Sequence, residues 1–409
     1  MDIANNCRVC NNKIEPFMTF GNMPIANGFL KEEAFKDEYF FEMKPSFCNK
    51  CFAFQLIEQP DAELMFNESY PFFSSLSKHM QTHFDNFANS VINRFLKSKD
   101  SPMAIELGSN DGIMLRHFKD AGIKHLGIEP SRNVAQIAKE KGINTISEFF
   151  NEELAVKVLE EYGHADVMFA ANVMCHIPNI NSVFAGISNL LSKDGVLIFE
   201  DPYLGDMLNK VSYDQIYDEH VYIFSALSVI SICERHDLEL IDVEPQVTHG
   251  GSMRYFIGKK GSHIISNNVS KIIMNEEKNG FKEISTYERF RDNCEKSKKE
   301  LLELLTKIKD ENKRVVGYGA TSKSTTVLNY SEIGPDLIDF ISDTTPLKQN
   351  KFSPGAHIPV KSYENFSQNP PDYALLFAWN HKKEIFEKET EFEKNGGKWI
   401  TFVPRVEIL

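Results

Sequence analysis

The sequence predicts an α/β protein in three parts: a small metal-stapled N-terminal lobe, a central doubly wound domain on a mostly parallel sheet, and a C-terminal Rossmann-like domain. Three observations carry this. Two C-x2-C pairs stand within the first 51 residues, short apolar strands alternate with helical stretches between residues 103 and 202, and a second strand, glycine turn and helix recurs at 314–330. At 409 residues the chain exceeds the roughly 250 at which a single core stops growing. The expected divisions are 1–75, 76–245 and 246–409.

In the first part, Cys7 and Cys10 are followed by Cys48 and Cys51. Two such knuckles bring four thiolates to one tetrahedral ion, which is how zinc staples a lobe too small for its own core. Four protein ligands leave no open position, so the expected zinc is structural. Between the pairs, "FGNMPIANGF" at 20–29 carries Gly, Pro and Asn at turn spacing and reads as a fixed loop.

From residue 76 the pattern turns helical, with Phe84, Phe87, Ala88, Val91 and Phe95 on one face. "MAIELGSNDGIMLRHF" at 103–118 then reads as strand, turn and helix, which places backbone N–H groups and a positive helix end at the strand's carboxyl edge. Gly108, Ser109, Asn110, Asp111 and Gly112, preceded by Glu106, form E-x-G-x-x-x-G, the pattern of an S-adenosylmethionine site and not the G-x-G-x-x-G of a nicotinamide site. Glu129, at the end of the next strand, stands where an acid meets both hydroxyls of a ribose. Helix 131–141, strand 143–146, helix 151–162, strand 165–173 and strand 195–202 complete the alternation. Asn172 follows the fourth strand on the same edge. Phe149 and Phe150 are placed to flank an adenine, or to pack in the core.

The third part opens on "THGGSMRYFI" at 248–257, where His249 and Arg254 flank a Gly-Gly-Ser turn and either meet a diphosphate or border a plain hairpin. A long polar helix is expected around 283–309, then "RVVGYGATSKSTTVLNY" at 314–330. There Tyr318, Ser322 and Lys323 surround a glycine turn at a helix N-terminus, suited to a phosphate. Strands at 337–342 and 373–379 close the unit.

Composition excludes several classes. A formal charge of -13 without a basic stripe argues against nucleic acid, and no apolar run reaches the roughly 20 residues of a membrane span. The N-terminus lacks a secretory pattern, so the expected compartment is the cytoplasm, with its cysteines reduced.

The cysteine quartet, "IELGSNDG", "NVMCHIP" at 172–178, "YDEHVYIFS" at 217–225, "THGGSMR", "GYGATSK", "SPGAHIP" and "AWNH" at 378–381 together resemble the C-methyltransferases that act on nucleotide-linked ketosugars in deoxysugar biosynthesis, in order and along nearly the whole chain. The resemblance implies a monomer of three domains whose partner is a small molecule, a dTDP- or GDP-linked 4-keto-deoxysugar methylated at carbon 3. Pro71 and Phe72 depart from the family's usual small residue and tyrosine, so the sugar contact carried there by a hydroxyl is either lost or taken by Tyr70. Cys175 departs from the family's usual alanine and reads as a packing change.

Methylation at carbon needs a carbanion, hence a base and a stabiliser for the enolate. His220 is the expected base, since a histidine near neutral pKa accepts a proton at working pH. Glu219 or Asp218 would orient its ring or balance its cation, Tyr217 would donate to the ketone oxygen, and His176 would contact the same sugar. Ser225 is assigned to capping the helix 226–235. Competing readings are an O- or N-methyltransferase, a C5-methyltransferase, a zinc-ribbon nucleotide-binding adaptor without catalysis, and a nicotinamide-dependent epimerase or dehydrogenase; the last lacks its glycine fingerprint.

Overall fold

The structure is a computed structural model that describes residues 2, 3, 5–65 and 78–409. Tyr70 lies outside the described residues.

The central sheet comprises β1 (Met103–Leu107), β2 (Lys124–Ile128), β3 (Thr145–Ile146), β4 (Ala165–Ala171), β5 (Leu191–Pro202), β6 (Leu238–Gln246) and β7 (Ser252–Lys259), in the spatial order β6-β7-β5-β4-β1-β2-β3. The five strands from β5 to β3 are parallel, while β7 runs antiparallel to both β5 and β6. β1 and most of β4 are buried along their length, which explains their near-continuous apolar runs: a parallel strand covered by helices on both faces has no solvent side.

The sheet therefore continues past the division expected at residue 245. "THGGSMRYFI" was read as opening the last part, but its strand pairs with β6 as one arm of a hairpin and inserts beside β5. The Gly-Gly turn is the hairpin's own corner, so the local signal was right and its membership was not legible from it.

In the C-terminal domain Val315–Tyr318 is flanked in parallel by Ile341–Ser342 and Tyr373–Leu376, within a seven-stranded sheet. The strand expected at 337–342 is thus shorter, and the one expected at 373–379 stops early and gives way to a 3-10 turn, Trp379–His381. The long helix Ile284–Asp310 buries Tyr287, whose ring stacks on Phe47 of the N-terminal lobe at 4.1 Å, so that helix ties the first part to the last.

Among the described residues the lobe carries a three-stranded sheet besides two two-stranded ones. Pro45–Phe47 and Phe54–Leu56 form a hairpin, and the third strand is Tyr222–Ile223, contributed by the central domain directly after His220.

Candidate active site

A cleft opens at the carboxyl ends of β1, β2 and β4. Its β1 turn requires Gly108: φ is +65°, and a Cβ there would stand 2.4 Å from Val173 Cγ2. Asn110 and Asn172 also hold left-handed backbone, which Asn adopts more readily than other side-chain-bearing residues. Glu129 accepts from the backbone N–H of Asn110 at 3.0 Å and of Ser131 at 2.8 Å, which pins the acid at the cleft wall and leaves lone pairs for a ligand. Burial raises the Glu129 carboxyl, and those two bonds pull against that rise.

Gly108, Asn110, Glu129, Phe149, Phe150 and Asn172 all line the cleft. Phe149 is half-exposed and Phe150 buried, so one ring is available to a ligand and the other belongs to the wall. Glu106, Asp111 and Gly112 do not line it. Asp111 is buried and paired with Lys141 at 2.9 Å, and Gly112 packs on Ile143. Glu106 is buried behind the turn, its carboxyl raised well above the ordinary range by burial and then by Glu129 and Asp111. These three shape the turn instead of facing the ligand. Sequence reasoning missed Met80, Phe84, Ser131, Val173 and Pro178, apolar or small residues whose lining role no local motif marks.

The cleft reaches His176 and His249, and beside it lies the stretch that follows Gln215. His220 is fully buried with its ring 5.3 Å from that of His176. Its Nδ1 lies 2.7 Å from the Gln215 carbonyl oxygen and its Nε2 lies 2.8 Å from the Tyr217 hydroxyl. A carbonyl only accepts, so Nδ1 carries the proton, and the Tyr217 O–H donates to the lone pair on Nε2. The orienting group expected to be Glu219 or Asp218 is therefore a backbone carbonyl. Burial, then the neighbouring His176, lowers His220 well below its ordinary value, and burial lowers His176 to about 3, so both rings are neutral.

The two carboxylates face the N-terminal lobe. Asp218 accepts from the Ala26 N–H at 3.0 Å and Glu219 from the Asn27 side-chain amide at 2.7 Å, both on the loop 20–29. Gln59 donates at 3.3 Å to the carbonyls of both His176 and Asp218. Burial pushes Glu219 up to about 7 against the opposing pull of Asn27 and Lys348. From the other side, helix Ser322–Tyr330 presses on the same stretch: Thr326 donates to the Ile216 carbonyl and Thr325 to that of Ala26, each at 2.8 Å. Ser225 caps the helix Ala226–Cys233 in a reciprocal box with Ser228, as expected.

The residues expected to meet a diphosphate divide. Lys323 is buried, donates to the His249 carbonyl at 3.1 Å, and lies 5.1 Å from the Trp379 ring. Ser322 is partly exposed at the first turn of the same helix. Arg254 is committed elsewhere: it grips Glu200 at 2.7 and 3.1 Å and covers the Phe87 ring at 3.8 Å. Burial raises Glu200, but His83, Arg254 and Thr248 outweigh it and bring the carboxyl down to about 2. Tyr318 is equally committed, donating to Glu389 at 2.7 Å inside the C-terminal core. Strand periodicity explains both. Arg254 and Tyr318 lie within strands and their side chains meet packed layers, away from the loops that end those strands.

The four cysteines expected to bind zinc converge, their sulfurs within 4.8 Å of one another. Gln55 donates to Cys7 Sγ at 3.1 Å, and the four sulfurs face one another with no open position, so the donor set fits a four-thiolate zinc site. Among the described residues no helix is long and apolar enough to cross a membrane.

Three family models match in sequence: "Putative zinc binding domain" at residues 7–66, "Methyltransferase domain" at 79–243 and "C-methyltransferase C-terminal domain" at 247–404. The chain is 32% identical over 408 residues to the C-methyltransferase NovU of Streptomyces niveus, spanning 99% of this chain and 97% of that one. An uncharacterized methyltransferase of Alkaliphilus oremlandii (strain OhILAs) is 23% identical over 131 residues, 30% of this chain and 59% of the relative. Among solved structures, magnesium protoporphyrin IX methyltransferase from Synechocystis PCC 6803 with bound SAM aligns at 12% identity and a TM-score of 0.34, over 44% of this chain and 79% of that one.

Proposed function

The chain belongs to the C-methyltransferase family and is an S-adenosylmethionine-dependent enzyme; from that premise we propose that it methylates carbon 3 of a dTDP- or GDP-linked 4-keto-6-deoxysugar. The observation that carries the reading is the chain from the Gln215 carbonyl through His220 to the Tyr217 hydroxyl. It holds a neutral imidazole with its lone pair on Nε2, buried beside the donor cleft, and this is what abstraction of a proton next to a ketone requires.

When bound, S-adenosylmethionine supplies an electrophilic methyl group. The protein's own residues do the rest. Gly108, Asn110, Glu129 and Asn172 hold the donor against the β-strand ends, and His176 orients the sugar in the cleft. On substrate arrival the Tyr217 hydroxyl turns from His220 Nε2 to the ketone oxygen. That frees the lone pair, which takes the C3 proton, while the C–H electron pair becomes the C3–C4 π bond and the carbonyl π pair moves onto the ketone oxygen, where the Tyr217 hydrogen bond stabilises it. The resulting imidazolium is balanced by the Gln215 carbonyl and by ionised Glu219. Lys323 and Ser322, at the N-terminus of a helix next to His249, suit the diphosphate of the acceptor. Four of the seven cysteines converge as a metal-ligand set and none is in a disulfide, which supports a reducing compartment such as the cytoplasm.

The test is mass spectrometry of the protein with S-adenosylmethionine and dTDP- or GDP-4-keto-6-deoxyhexoses in deuterated water. The expected result is a product heavier by one methyl group and deuterium at C3 of unreacted sugar. Donor binding with neither product nor exchange would overturn the acceptor assignment.

A further inference from the structure

Cys175, His176 and His220 present a sulfur and two ring nitrogens within 4.8 Å of one another, at the inner end of the donor cleft. Each donor is fixed from behind. Asp201 accepts from the N–H groups of Val173 and Cys175 at 3.0 and 3.1 Å and so locks the turn bearing Cys175 and His176. The Nδ1 proton of His220 is held by the Gln215 carbonyl, which is the arrangement that ordinarily presents an imidazole Nε2 to a metal.

We propose that this trio is a second, reversible metal site that takes a thiophilic divalent cation such as Zn2+ and shuts the enzyme off. One sulfur and two imidazoles make a donor set for zinc with one position left for water. Bonds of about 2.0–2.3 Å in a tetrahedron separate donors by about 3.5 Å, so the trio has to close by roughly 1 Å. Side-chain rotation covers that distance. Burial, then Asp201 and Glu219, raise the Cys175 thiol well above its ordinary value, so a cation that binds there has to displace the thiol proton. The site differs from the four-cysteine cluster in being open and in sharing a donor with catalysis. A cation there occupies the His220 lone pair, so binding and proton abstraction exclude each other. The inhibition, though not the binding, rests on the assignment of His220 as base.

The test uses full-length protein carrying one zinc in the four-cysteine cluster, titrated with Zn2+ against a chromophoric chelator, with S-adenosylhomocysteine binding measured in parallel as a check on folding. Wild type is expected to take one further equivalent, and Cys175→Ala none while still binding S-adenosylhomocysteine. In turnover assays added Zn2+ should lower the wild-type rate at least tenfold, reversibly with chelator, and leave the rate of Cys175→Ala unresponsive. If Cys175→Ala does not fold, His220→Gln should lose the same equivalent. No further equivalent in wild type, or its retention in both variants, overturns the proposal. Because stoichiometry is read without an acceptor sugar, a wrong acceptor would leave this result standing.

Discussion

Replacing Asn27 by alanine removes the side-chain amide that donates to Glu219 Oε1 at 2.7 Å, from a residue that does not line the cleft. Burial already holds the Glu219 carboxyl up at about 7, and Asn27 is the first of the two groups that restrain it. A hydrogen bond to a charged group contributes about 1.5–3 kcal/mol, and 1.36 kcal/mol corresponds to one pKa unit. Losing it should carry the carboxyl from about 7 to between about 8 and 9. The sign follows directly: if the carboxylate must be ionised to balance the imidazolium on His220, activity rises with pH through that value, and the variant's rise moves to higher pH. At pH 7.5 the ionised fraction falls from about three-quarters to between about one-quarter and 3%, a loss of roughly three- to twenty-five-fold that high pH restores. The assay is kcat/KM from release of S-adenosylhomocysteine across pH 6 to 10. A profile whose midpoint does not move, whatever happens to its plateau, would refute the link between Asn27 and the ionisation of Glu219.

His220→Asn should lower kcat by about 10²–10⁴-fold with S-adenosylhomocysteine affinity unchanged in calorimetry, since the lone pair is lost but the cleft is not. Arg254→Met should lower stability by about 1.5–3 kcal/mol in denaturant unfolding, because it takes the guanidinium from buried Glu200 while His83 and Thr248 keep their contacts, and the surviving folded enzyme should keep its KM for the acceptor. Stripping zinc with a strong chelator should abolish C3 deuterium exchange as well as melt the near-UV signal of the lobe, because Phe54–Leu56 pairs with the strand that follows His220.

The extent to which these features could be read from the chain divides along the range of the interaction. The cysteine quartet, the β1 turn and the Ser225 cap rest on residues a few positions apart or on a spacing with one physical meaning, and each was legible. The setting of Glu219 was not: Asn27 lies 192 residues away, and nothing in "PIANGF" marks an amide aimed at a carboxylate. The same holds for Thr326 on the Ile216 carbonyl and for Gln59 bridging two backbone carbonyls. Charged residues misled in a consistent way. Asp111 stands in a turn whose pattern suits the donor and Arg254 flanks a turn open to a diphosphate or a plain hairpin, yet Lys141 and Glu200 neutralise them internally. A sequence displays the charge and hides the partner.

The loop from Gln215 to His220 is gripped by Ala26, Asn27 and Gln59 on one side and by Thr326 on the other, and the strand after it completes another domain's sheet. The three parts of this chain are consequently poor units of exchange. A chimera that joins the first part of one relative to the remainder of another can fold every domain and still misplace His220 by an ångström, and if His220 is the base such a displacement costs on the order of a hundredfold in rate. Recombination within such enzymes has to carry the loop at 20–29, Gln59, the stretch 215–223 and the helix Ser322–Tyr330 together, so the inherited unit is a set of contacts scattered along the chain and not a contiguous segment of gene.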